Sequence, residues 1–126
     1  MKLLAFLLAS IALAAVYNLD VASNARINPG GSSILEVTSN PSTGYMWYFV
    51  PSNSAKISVD DPRGAFIAPA TELAGAPGKQ RFTISCSQLC VEGDILEVIL
   101  ALQRPWEQAP IDIKKVSVEV TNDQLD

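Results

Sequence analysis

Lys79-Gln80-Arg81-Phe82-Thr83-Ile84-Ser85 changes side-chain character at every step, with Phe82 and Ile84 on one face and Arg81, Thr83 and Ser85 on the other. A period of two is that of a β-strand with one face in a core and the other in water. The same period recurs along the chain. Residues 33–39 alternate after the turn Asn28-Pro29-Gly30-Gly31, and residues 115–121 alternate with Val116, Val118 and Val120 inward. Residues 46–50 form an aromatic apolar run closed by Pro51, and a short run at 56–59 ends at the turn Asp60-Asp61-Pro62. Residues 95–102 are almost wholly apolar, which predicts a central strand buried on both faces. No window carries a helical period, and Pro and Gly punctuate the chain throughout. Short strands at regular spacing predict an all-β, antiparallel sandwich or barrel.

The amino terminus reads differently. Lys2 precedes an apolar run from Leu3 to Val16 that ends in small residues around Ala12-Leu13-Ala14-Ala15. A cationic start, an apolar centre and a small-residue end predict a secretory leader over 1–15. The run is short of the ~20 apolar residues that cross a bilayer. Residues 16–126 then form one domain, secreted or held in the lumen of the secretory and endo-lysosomal route, with no membrane contact in the mature form.

Composition narrows the chemistry. Of the 126 residues, 48% are hydrophobic, enough for a real core, and the net charge is −4 with no basic cluster. That argues against nucleic acid and anionic membrane as partners. There is no histidine, which removes the commonest general base and the commonest metal ligand. No catalytic residue, cofactor or metal is expected. Asp60 and Asp61 are adjacent, so on a strand they would point to opposite faces and make a poor catalytic pair. Cys86 and Cys90 would lie ~13 Å apart on a straight strand, so a bridge needs a tight turn through Ser87-Gln88-Leu89. An oxidising compartment favours that bridge; a pair of free thiols, at least one buried, is the alternative.

Three loops have more specific composition than connectors need. In Asn40-Pro41-Ser42-Thr43-Gly44-Tyr45, Pro41 fixes its own φ and restricts Asn40, and Gly44 permits backbone closed to other residues. Gly75-Ala76-Pro77-Gly78 offers little side chain and suits main-chain contact. Gln103-Arg104-Pro105-Trp106 sets a large aromatic behind a proline, a composition typical of an interface anchor.

Taken in order, these loops resemble the chagasin-like inhibitors of papain-family cysteine proteases. That family carries Asn-Pro-Thr-Thr-Gly-Tyr/Phe, a glycine-rich loop and Arg-Pro-Trp. Here the first reads Asn-Pro-Ser-Thr-Gly-Tyr, with Ser42 for the usual first Thr. Pro77 stands within the glycine-rich loop, and Arg104-Pro105-Trp106 is intact. The resemblance spans roughly residues 19 to 121. It implies an immunoglobulin-like β-sandwich with the loops at one end, and a reversible, tight-binding, competitive inhibitor that enters the cleft of a papain-family (cathepsin-like) cysteine protease. It further implies a monomer forming a 1:1 complex, with Thr43 beside the target's catalytic cysteine, the glycine-rich loop along cleft backbone and Trp106 on primed-side aromatics. Arg104 either touches the protease or braces the loops from within. Two rival readings are an adhesion sandwich using the same loop end, and a carboxylate hydrolase.

Overall fold

The computed structural model describes residues 14–50, 55–71 and 75–122. Its strands are β1 (Ala15–Asn18), β2 (Asn24–Ile27), β3 (Ser32–Ser39), β4 (Met46–Val50), β5 (Ile57–Val59), β6 (Ala65–Ile67), β7 (Gly78–Cys86), β8 (Ile95–Gln103) and β9 (Asp112–Val120). One sheet has the order β1-β3-β7-β5, with β6 also on β7, and the other has the order β2-β9-β8-β4. Among the described residues the sole helical element is a 3-10 turn at Pro41–Thr43. The leader expected at 1–15 lies outside the described residues up to position 13, and Ala15 is the first residue of β1.

The predicted alternations set the core. Phe82 and Ile84 of β7 and Leu35 and Val37 of β3 face Trp47 and Phe49 of β4, Val98 and Leu100 of β8, and Val116, Val118 and Val120 of β9, all buried in one cluster. Each large apolar side chain removed from water contributes on the order of 1.5–3 kcal/mol, so this two-layer core dominates stability. The sandwich is immunoglobulin-like, as expected, but its sheets are mixed rather than wholly antiparallel. The edge strands β1 and β2 run parallel to β3 and β9. Leu19, buried at the end of β1, leads the chain from the first sheet across to the second.

Strand β8 corrects a sequence expectation. It is central in its sheet but buried on one face only: Val98 and Leu100 point into the core, whereas Ile95 is 65% exposed. Ile99 and Ala101 on the outer face are sheltered sideways, because Val50 and Tyr48 of β4 stand directly across from them. An apolar run therefore need not mean a third layer. Strands β1, β2 and β6 were not expected from the sequence; each has four residues or fewer.

Register places the loops. Ser39 pairs with Gly78 and Met46 with Gln103, so β3, β4, β7 and β8 all begin or end at one edge of the sandwich. At the other edge Cys86 and Cys90 are disulfide-bonded with Cα atoms 6.0 Å apart. The tight turn that a bridge requires is present: the Cys90 N–H donates to the Ser87 carbonyl and the Leu89 N–H to the Ser87 hydroxyl.

Candidate functional site

The loop joining β3 to β4 is built from its own sequence. Pro41 opens the 3-10 turn, and the Thr43 and Gly44 N–H groups close it on the Asn40 and Pro41 carbonyls. Gly44 ends the turn at φ 86°, a left-handed conformation that a side chain would strain. A Cβ there would also lie 3.0 Å from Trp106 Cη2, so a side chain would push the exposed indole aside by a few tenths of an ångström. The side chains lock the turn further. Ser42 Oγ donates to Asn40 Oδ1 at 2.6 Å, Thr43 Oγ1 donates to the Asn40 carbonyl at 2.9 Å, and the Tyr45 N–H donates to Thr43 Oγ1. Ser42 and Thr43 are nonetheless exposed.

The other two loops are tied to this one. Asn40 Nδ2 donates to the Gly75 carbonyl at 3.1 Å, joining the first loop to the second. Arg104 Nε donates to the Thr43 carbonyl at 3.3 Å, joining the first to the third. The Arg104 guanidinium also lies 4.2 Å from the Tyr45 ring centroid and 5.8 Å from that of Trp106. Of the two roles the sequence left to Arg104, this geometry supports bracing. Pro105 and Trp106 stand free of the core, and Trp106 is 70% exposed.

The second loop divides. Gly75 and Pro77 are exposed and Ala76 half-buried, whereas Gly78 is buried as the first residue of β7. A Cβ on Gly78 would clash with the Ile67 carbonyl and lie 2.6 Å from Phe66. Gly78 is thus packed under β6, at the base of the loop where it joins β7.

Beneath the loops lies a residue that sequence reading passed over. Gln80 is fully buried on the core face of β7, and its amide accepts from the Trp47 N–H and donates to the carbonyls of Trp47 and Arg63. It satisfies the edge of β4 and ties the two sheets together under the first loop. The indole of Trp47 adds a second tie, donating to the Thr38 carbonyl. The signal was available: the alternation that puts Phe82 and Ile84 inward puts Gln80 there too.

Chemically, this end presents small side chains, carbonyls and one large aromatic. Among the described residues no cluster of His, Cys, Asp or Glu could hold a metal. Asp61 serves a turn, accepting the Arg63 N–H on its side chain and the Gly64 N–H on its carbonyl. The geometry suits binding by a preorganised surface.

Residues 26–120 match the sequence family described as the chagasin family of peptidase inhibitors. Among solved structures, the chain is similar to a cysteine protease inhibitor from Entamoeba histolytica, at 22% identity and TM-score 0.62, covering 87% of this chain and 99% of that one. It is also similar to amebosin, at 22% identity and TM-score 0.57, covering 87% and 98%. A third similar structure, PbICP-C in complex with falcipain-2, has 15% identity and TM-score 0.51, covering 90% and 95%. These likenesses show the fold. No curated protein sequence matches the chain. The family match covers most of the chain, and the chain belongs to the chagasin family, a family of peptidase inhibitors and not of enzymes.

Proposed function

From that family membership, we propose that the mature chain is a reversible, tight-binding, competitive inhibitor of papain-type cysteine peptidases. Residues 40–45, 75–78 and 104–106 enter the active-site cleft together. The observation that carries this reading is the pair of hydrogen bonds, Asn40 to Gly75 and Arg104 to Thr43, that fastens the three loops into one surface. A surface ordered before contact loses little conformational entropy on binding. Two of the similar structures are a cysteine protease inhibitor and an inhibitor in complex with falcipain-2, which supports this target class.

The first loop blocks the site without being cut. A peptidase cleaves extended backbone, and a 3-10 turn ending in a left-handed glycine does not present an extended peptide bond. Thr43 approaches the target's catalytic cysteine, and because its hydroxyl is already bonded to Asn40 and Tyr45 it enters without an unsatisfied polar group. Gly75 to Pro77 run along cleft backbone, and Trp106 packs on aromatic side chains of the primed side. Residues 1–15 are removed on secretion, and the mature monomer forms a 1:1 complex.

The test is a titration of papain with the mature chain, following hydrolysis of a small fluorogenic substrate. Stoichiometric, reversible loss of activity that substrate relieves is the expected result. No inhibition of papain or of several cathepsin-type peptidases would overturn the proposal and leave an adhesion module as the reading to pursue.

A further inference from the structure

Beside the third loop lies a groove of ≈ 290 Å³ lined by Tyr48, Arg63, Gln103, Arg104 and Pro105. Arg63 belongs to none of the three loops. It follows the turn at Asp61 and is held against the free edge of β4. Its N–H donates to Asp61 Oδ1 at 2.9 Å, its carbonyl accepts from buried Gln80 at 2.8 Å, and the preceding Pro62 carbonyl accepts the Phe49 N–H at 2.7 Å. Its guanidinium lies 5.9 Å from the Tyr48 ring centroid, on the groove wall.

The charges on the groove are unbalanced. Among the described residues Arg63 forms no ion pair, and Arg104 reaches only Glu107, at 3.9 Å. Two guanidiniums thus line one depression on a chain whose net charge is −4. A planar guanidinium with its donors free is suited to a carboxylate, which it can hold through two parallel hydrogen bonds. The volume exceeds several water molecules at ~30 Å³ each, enough to admit a side chain.

We infer that this groove is a subsite for an acidic side chain of the target peptidase, with Arg63 as its anchor. The inference rests on the proposed inhibitory function and extends the contact surface sideways from the third loop, along the outer face of β4. Arg63 acts as a specificity determinant: peptidases with an Asp or Glu opposite the groove gain affinity, and those without gain none. Charge complementarity at such a site favours selectivity and rapid association.

The experiment measures inhibition constants of wild type, Arg63→Lys and Arg63→Glu against papain and three cathepsin-type peptidases, at 50 and 500 mM NaCl. Arg63 is exposed, so the variants should fold, and unchanged melting temperatures would verify this. The expected result is a loss of fivefold or more for Arg63→Glu against at least one peptidase, shrinking at high salt, with Arg63→Lys between it and wild type. Values within fivefold of wild type against all four, or a loss indifferent to salt, would overturn the inference. If wild type inhibits none of the four, the proposed function itself fails, a separate outcome.

Discussion

At the edge where β3 leads into β4, the chain is held by single hydrogen bonds and stacked rings: Asn40 to Gly75, Arg104 to Thr43, Arg104 over Tyr45. At the opposite edge it is held by the Cys86–Cys90 disulfide and by a Lys56–Asp94 ion pair at 2.7 Å, with the Val91 N–H bonded to the same carboxylate. Both edges are ordered, by different means. The first spends its bonds on loop shape and leaves Trp106 exposed, whereas the second buries both cysteines and closes a turn on the core. Under the proposed function, the division separates presentation from stability. Changes at the loop edge should therefore weaken inhibition without unfolding the protein, and changes at the disulfide edge should do the reverse.

The largest expected effect is that of Thr43→Asp, which puts an unpaired charge into a closed interface. A cost of about 3 kcal/mol or more, roughly 150-fold in the inhibition constant, follows. Trp106→Ala should cost about 2 kcal/mol, near 30-fold, if the ring anchors the interface. Both side chains are exposed, so the melting temperature should stay within a degree or two of wild type. A large fall in melting temperature with either variant would break the division; wild-type inhibition by both would remove the loops from the site.

The disulfide edge supplies the converse. A bridge spanning four positions closes a short loop, and chain-entropy arguments give about 2 kcal/mol for it. A Cys86→Ser, Cys90→Ser double variant should melt about 10 °C lower and inhibit papain as wild type does at temperatures where it is folded. A change in the inhibition constant of the folded double variant would show that the two edges communicate.

Gly44→Ala sharpens the picture within the loop edge. The left-handed backbone costs a side chain ~1 kcal/mol, and the added Cβ crowds Trp106 Cη2 at 3.0 Å. The turn should open slightly, weakening inhibition about fivefold, with a smaller change for Ser42→Thr, which keeps the hydroxyl that bonds Asn40. Inhibition constants of the two variants under one set of conditions decide the matter.

Much of this architecture was legible because period-two alternation reports which side chains meet a core. Phe82, Ile84, Val116, Val118 and Val120 all lie where alternation puts them. The three loops could be picked out because proline, glycine and tryptophan constrain backbone or offer area wherever they occur. What escaped depends on partners distant in sequence. Gln80 is an ordinary polar residue until β4 arrives beside it, 33 positions away. Bracing by Arg104 could be favoured from the sequence, but its partner Thr43, 61 positions off, could not be named. The need for a glycine at position 78 comes from β6, a strand of three residues. The parallel pairing of β1 and β2 likewise follows from where the chain crosses between sheets, which local pattern does not encode.

Acid provides the smallest and most symmetrical test, because each edge contains, among the described residues, one carboxylate whose affinity for protons the fold has lowered. At the loop edge, burial alone would raise the Asp20 pKa, but hydrogen bonds from the Thr38 hydroxyl and N–H and from Lys79 outweigh it. At the disulfide edge, the Lys56 ammonium, then the Val91 N–H, lower that of Asp94. A depressed folded-state pKa stabilises the protein above the unfolded carboxylate value of about 3.9, and the contribution disappears as pH falls through the lower folded value. Between pH 7 and pH 5 the melting temperature should therefore be flat with respect to these groups, and below pH 4 it should fall. Asp20→Asn and Asp94→Asn should each lower the neutral-pH melting temperature slightly and make the acid limb shallower. Asp20 bonds Lys79, one residue past the second loop, so only Asp20→Asn should also shift the inhibition constant, by twofold or less. If instead Asp94→Asn moves the inhibition constant and Asp20→Asn does not, the assignment of one edge to binding and the other to stability is reversed.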